Sequence, residues 1–304
     1  MTLYQPLVPG LESVKLPDRW AEYSSVQAIL TGGSSSPREE LVALSDAVAH
    51  KNKDSYSILF IPWTSLDAGD DARDRFNQEL QHEGFGSLTV SVAPSRAALM
   101  GALSNWKDGY FEKLTQAEKT AVRQHDRLLR VPRDSRLSAE ELAAIKRGVD
   151  FRSAFLQQLA AADILYVGSG SQQRMMDVIR DQDLLEAIRM PVLSGDVVYA
   201  GTSAGSAITA THMFAGGSVA QGLSLLPPHL AVDQHLDRGA RMLRFIEGMQ
   251  AEDYSVGIGL YEGTTGIIRD GHFTVVGGNK ALFVTKFHGS LQLQFLGVGE
   301  STPL

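Results

Sequence analysis

The feature that most constrains this chain is an alternation of short apolar runs with longer stretches whose apolar residues recur at helical spacing. Val26–Thr31, Tyr56–Pro62, Ser87–Val92, Asp163–Val167 and Val197–Gly201 read as buried strands. Strands alternating with helices predict a parallel sheet covered by helices, not an all-β or all-α fold. The helix signals agree. Ser36-Pro37-Arg38-Glu39-Glu40 sets a cap, a first-turn proline and two acids at a helix start. Gly84 closes a helix that begins near Asp70, and Ser138-Ala139-Glu140-Glu141 is a capping box opening a helix towards Ala161. From Ser255 the texture changes to strands and tight turns. There Asp270-Gly271 joins Gly266–Arg269 to His272–Val276, a hairpin signal. The expected fold is α/β, a mostly parallel sheet flanked by helices with C-terminal β-hairpins, in a single domain over residues 1–304.

Composition narrows the function. The net charge of −7 argues against a nucleic-acid partner, because phosphate binding needs a basic surface. The chain has no cysteine, which removes disulfides, thiolate metal sites and a cysteine nucleophile. No apolar run approaches 18 residues, so no membrane helix is expected. MTLYQPLVPGLESVKLPDRW lacks the basic start and apolar core of a signal peptide, and the expected location is the cytoplasm. Gly32-Gly33-Ser34-Ser35-Ser36 lacks a P-loop lysine, and the histidines lack metal-ligand spacing. No cofactor and no metal are expected. Residues 104–136 interrupt the alternation with a densely charged stretch, read as a surface insertion. As helices it would shape one side of a site or a subunit contact, and a homodimer is compatible with it.

The most informative segment is Val198–Ala210, VYAGTSAGSAITA. It places Gly201-Thr202-Ser203-Ala204-Gly205, a G-x-S-x-G, between an apolar strand and small residues that can open a helix. Such a turn strains the serine backbone and presents its hydroxyl, while the N–H of the next residue can help hold an oxyanion. A serine nucleophile needs a base and an orienting acid. His235 follows the apolar run Leu230-Ala231-Val232 and precedes a helical stretch, Arg238–Met249, so it sits at an element terminus. For the acid, Glu262 lies just past the strand Val256–Tyr261, and Asp233 competes from two residues before His235.

GTSAGS, DQHLDRGARMLR and GIGLYEGTTGIIRDGHFTVVGG, in that order, resemble the motifs of cyanophycinase and its dipeptidase E relatives. Ala161–Arg174 resembles the strand and glycine loop of that family, and Ile29-Leu30-Thr31-Gly32-Gly33 its first glycine turn. The resemblance implies a serine peptidase on a flavodoxin-like, class I glutamine amidotransferase-like scaffold, acting on a peptide substrate. It implies Ser203 as nucleophile, His235 as base and Glu262 as acid, with Gly170 and Ala204 supplying oxyanion N–H groups. It further implies substrate contacts from Gln172, Thr202, Gln234, Arg241 and Arg244. Arginine suits a substrate carboxylate because its planar fork grips both oxygens. The chain departs from the family pattern in a Gly-Ser-Gly-Ser loop, where two glycines and then an acid or asparagine are usual. It departs again at Ser206, where alanine is usual.

Two other readings stay open. An α/β-hydrolase esterase would order its triad as Ser203, Asp253 or Asp270, and His288. A catalytically silent scaffold protein would be marked by a lost triad residue, and all three positions are filled.

Overall fold

A computed structural model describes residues 22–33, 37–63, 69–94, 151–181, 183–215, 218–252 and 254–304. The charged stretch at 104–136 and the capping box at Ser138 lie outside them. All five strands read from the apolar runs form: β1 (Ala28–Thr31), β2 (Tyr56–Ile61), β3 (Leu88–Val92), β4 (Ile164–Val167) and β5 (Val198–Thr202). They lie side by side in the order β1-β5-β4-β2-β3, all parallel. Helices α1 (Pro37–Val48) and α2 (Gly69–His82) follow β1 and β2, as the crossover rule for parallel strands requires. Residues 151–160 form a helix leading into β4. Helices α3 (Gln172–Asp181) and α4 (Leu185–Leu193) connect β4 to β5.

The C-terminal strands extend this sheet on the β1 side. β10 (Thr265–Arg269), β11 (His272–Gly277) and β14 (Ser301–Pro303) add antiparallel, so among the described residues the sheet has eight strands. Asp270 and Gly271 both have positive φ, 52° and 70°, as a two-residue hairpin turn with the right twist requires.

A second sheet was not evident in the sequence. It has the order β13-β12-β9-β8, from β8 (Leu230–Gln234), β9 (Val256–Leu260), β12 (Ala281–Phe287) and β13 (Ser290–Leu296). Alternate residues explain its place. Leu230, Val232, Ile258 and Phe283 join the core on one face of the first sheet, together with Leu30, Leu165 and Tyr199. Their neighbours Ala231, Leu282 and Val284 turn the other way, onto Phe245 and Met249 of α6 (Arg241–Ala251). The opposite face of the first sheet packs on α1 and α2 through Leu41, Leu44 and Phe76. The short α5 (Ala204–Ala207) follows β5, and β6 (His212–Ala215) pairs with β7 (Ser218–Gln221) as a separate hairpin.

Candidate active site

Ser203 stands at the carboxyl end of β5 as the residue that opens α5, with φ 53° and ψ −109°. A conformation this sparsely populated costs on the order of 1–3 kcal/mol in a residue with a Cβ. Glycine on both sides makes the turn possible. A Cβ on Gly201 would come 2.5 Å from the Gly205 carbonyl, and one on Gly205 would come 2.2 Å from the Val167 oxygen. The elbow is therefore packed directly against itself and against the end of β4.

The structure brings Ser203, His235 and Glu262 together. Ser203 Oγ lies 2.6 Å from His235 Nε2, and His235 Nδ1 lies 2.6 Å from Glu262 Oε1. A carboxylate can only accept, so Nδ1 carries the proton and Nε2 is left to accept from the serine hydroxyl. Each residue comes from a different strand end: Ser203 after β5, His235 after β8 and Glu262 two residues after β9. β8 and β9 run parallel, and Gln234 pairs with Leu260, so His235 and the acid leave the sheet on the same edge. Gly33 completes the fit: its φ is 93°, and a Cβ there would come 2.4 Å from His235 Cε1.

Burial lowers the pKa of His235 from its ordinary value, and the Arg238 and Arg241 charges lower it further, against the raising effect of Glu262. The imidazole is thus held neutral. Arg238 pairs with the same Glu262 oxygen that His235 uses, and the Glu262 N–H donates to Asp237 Oδ1 at 3.1 Å. Sequence reading had missed both residues, although they stand in the DQHLDRG segment directly after His235.

Asp233, the competing acid, is turned away. It shares the face of Ala231 towards α6, accepts the Gln234 N–H at 2.8 Å and lies 3.5 Å from Arg241. Burial pushes its pKa up to about 6. Arg241 also donates to the Gln234 carbonyl at 2.8 Å and to its side-chain oxygen at 2.7 Å. Gln234 and Arg241 are thereby one unit, and exposed Arg244 follows on the same helix.

The loop after β4 runs beside the elbow, because β4 and β5 are paired with Val167 opposite Gly201. Gly170 is exposed in that loop with φ 137°. Ala204 begins α5, where N–H groups have no carbonyl of their own helix to meet. Ser171 Oγ accepts the Arg174 N–H at 3.4 Å and so caps α3. Gln172 is the first residue of α3, and its Nε2 is buried without a hydrogen-bond partner among the described residues. Thr202 is the partly buried last residue of β5, in register with Thr31 of β1. His288 lies in the β12–β13 turn against Phe287, Asp270 lies in the β10–β11 turn, and Asp253 is outside the described residues.

Among the described residues there is no group of three or more His, Asp or Glu side chains placed to hold a metal ion. No described helix is long and apolar enough to cross a membrane.

The model of Peptidase family S51 matches residues 128–276, a span that includes Ser203, His235 and Glu262. Over this span, just under half of the chain, the sequence is similar to Peptidase family S51. Among curated relatives, the cyanophycinase of Trichormus variabilis is 36% identical over 138 residues, which is 41% of this chain and 46% of the relative. The cyanophycinase of Geminocystis herdmanii is 34% identical over 125 residues, 37% of this chain and 46% of the relative. The chain thus spans about half the length of the curated relatives it matches. A crystal structure of a peptidase from an acI-B1 Actinobacterium superposes with a TM-score of 0.57 at 16% identity, covering 92% of this chain and 97% of that one. That likeness is one of fold: a large mostly parallel sheet flanked by helices.

Proposed function

We propose that this chain is a serine peptidase that hydrolyses aspartyl peptide bonds, with cyanophycin or its β-Asp-Arg unit as the leading substrate. The observation that carries this reading is the continuous relay of two 2.6 Å contacts from Ser203 Oγ through His235 to Glu262. Ser203 Oγ bonds to the scissile carbonyl carbon as its proton passes to His235 Nε2. The Ala204 and Gly170 N–H groups hold the oxyanion. Collapse breaks the C–N bond, and Nε2 returns the proton to the leaving amine. Water then attacks the acyl-serine with His235 again as base, which releases the acid and regenerates the hydroxyl. Glu262 keeps the imidazole in the reactive tautomer and stabilises its cation.

The preference for an acidic residue rests on Arg241, Arg244 and Gln172. Arg241 is already fixed by Gln234 and Asp233, so little side-chain freedom is lost when it meets a substrate carboxylate. Gln172 Nε2 is a buried donor in need of an acceptor, and a substrate carbonyl or carboxylate would satisfy it. The cyanophycinase names of the partial-length relatives point the same way.

A fluorophosphonate probe is expected to label Ser203 in the wild type, not to label Ser203→Ala, and to label His235→Ala far more slowly. A panel of cyanophycin, β-Asp-Arg and α-linked Asp-X dipeptides then sets the substrate. Preferred cleavage of the α-linked dipeptides would assign a dipeptidase E-like specificity. Rapid hydrolysis of short acyl esters with no cleavage of any aspartyl peptide would sink the peptidase reading.

A further inference from the structure

Ser203 can keep its strained backbone only if its surroundings over-determine it, and the structure shows two attachments that could do so. The first comes from β1. The Ser203 N–H donates to the Thr31 carbonyl at 2.9 Å. The Thr31 N–H in turn donates to Ser206 Oγ at 2.9 Å, and that hydroxyl lies 2.8 Å from the Thr31 oxygen and 2.6 Å from the Gly201 oxygen. Ser206 is fully buried. Its one side chain therefore ties the end of β1 to both sides of the elbow, at the position where the resemblance led to an expectation of alanine.

The second attachment comes from β4. Tyr166, whose ring and phenol enter the core shared with Ala200, is paired in register with that β5 residue, three before the nucleophile. That phenol donates to Glu40 Oε1 of α1 at 2.9 Å, with both groups buried. The Tyr166 ring is itself wedged between Phe60, at 5.6 Å, and Phe76, at 4.9 Å. Burial raises the Tyr166 pKa well above its ordinary value, which keeps it a protonated donor.

We propose that Ser206 and Tyr166 are positioning residues that clamp the elbow from β1 and from β4 and so hold Ser203 Oγ in line with His235. Neither is exposed to a substrate, so each acts through the backbone around Ser203. The inference rests on the reading of Ser203 as nucleophile.

The test is the second-order rate of fluorophosphonate labelling, measured beside kcat, KM and melting temperature. Ser206→Ala and Tyr166→Phe each remove one hydroxyl and keep the packing. Each is expected to slow labelling and lower kcat about 5- to 20-fold, with KM within about twofold of wild type. Glu40→Gln keeps an acceptor for the Tyr166 proton and should stay within about threefold of wild type. Labelling within twofold of wild type in either variant overturns the two-clamp assignment, even where the melting temperature drops. Should one variant fail to fold, the other decides alone. No labelling of the wild type at Ser203 would be a separate failure, overturning the nucleophile reading and this inference with it.

Discussion

Two acids flank the same histidine in the sequence, and their surroundings give them different work. Glu262 accepts from His235 Nδ1, whereas Asp233 points to Arg241 on the α6 side of β8. Glu262→Gln should therefore cost about 10²–10⁴ in kcat, the range seen when a triad loses its orienting carboxylate. Asp233→Asn should act mainly on KM for acidic substrates, by loosening Arg241 and Gln234. The opposite pattern in steady-state kinetics would make Asp233 the acid. The acid limb of kcat/KM follows from His235: because its pKa is lowered, activity should fall only below about pH 6.5, the ordinary histidine value. Arg238→Gln removes one of the charges that lower this pKa, so the limb should move to higher pH. Asp233 also marks stability. Its folded pKa of about 6 is raised above the unfolded value near 3.9, so it favours folding below about pH 4, and that contribution is lost as pH rises through 6. The effect is on the order of 2–3 kcal/mol. Between pH 4 and 6.5 the melting temperature of Asp233→Asn should decline less than that of the wild type.

At the scale of elements, the site depends on how closely strand ends approach one another. The turn after β1 runs beneath His235 and is bonded to the acid loop, since the Gly263 N–H donates to the Gly33 carbonyl at 2.7 Å. At Gly33 both the positive φ and the 2.4 Å approach to His235 exclude a side chain. Gly33→Ala is expected to displace the imidazole and lower kcat by about 10²-fold or more, since small misplacements of a reacting group are costly. Circular dichroism should show the sheet intact. Wild-type turnover in that variant would mean that His235 has other room to move. The reading of Ile29–Gly33 as a strand followed by a glycine turn was available from the residues. That the turn packs against a histidine about two hundred residues later was not, because nothing local encodes which distant element fills the space left by a missing Cβ.

On the scale of the whole molecule, the second sheet positions His235 and Glu262 while the first positions Ser203, so the geometry of the proposed triad depends on the packing of one sheet against the other. Its outer strand, β13, carries no charge, and Leu293 and Phe295 on it are 50% and 51% exposed. An uncharged, partly apolar edge invites pairing with another chain. Leu293→Lys should raise the concentration at which light scattering first reports association and leave turnover unchanged. Unaltered association would show that this edge is not the sticky surface.

The sequence by itself determined the parallel sheet and the elbow with Ser203, and it offered His235 with two candidate acids. Apolar period, helix caps and glycine spacing are local properties, and the motif order is read directly along the chain. Only the tertiary structure showed that Glu262, and not Asp233, contacts His235. A strand sends alternate residues to opposite faces, but which face meets the nucleophile and which meets α6 depends on the second sheet, whose strands pair across long sequence separations. The same holds for Ser206 and Tyr166: a serine and a tyrosine in apolar surroundings acquire a role only when folding brings Thr31 and Glu40 within reach of their hydroxyls.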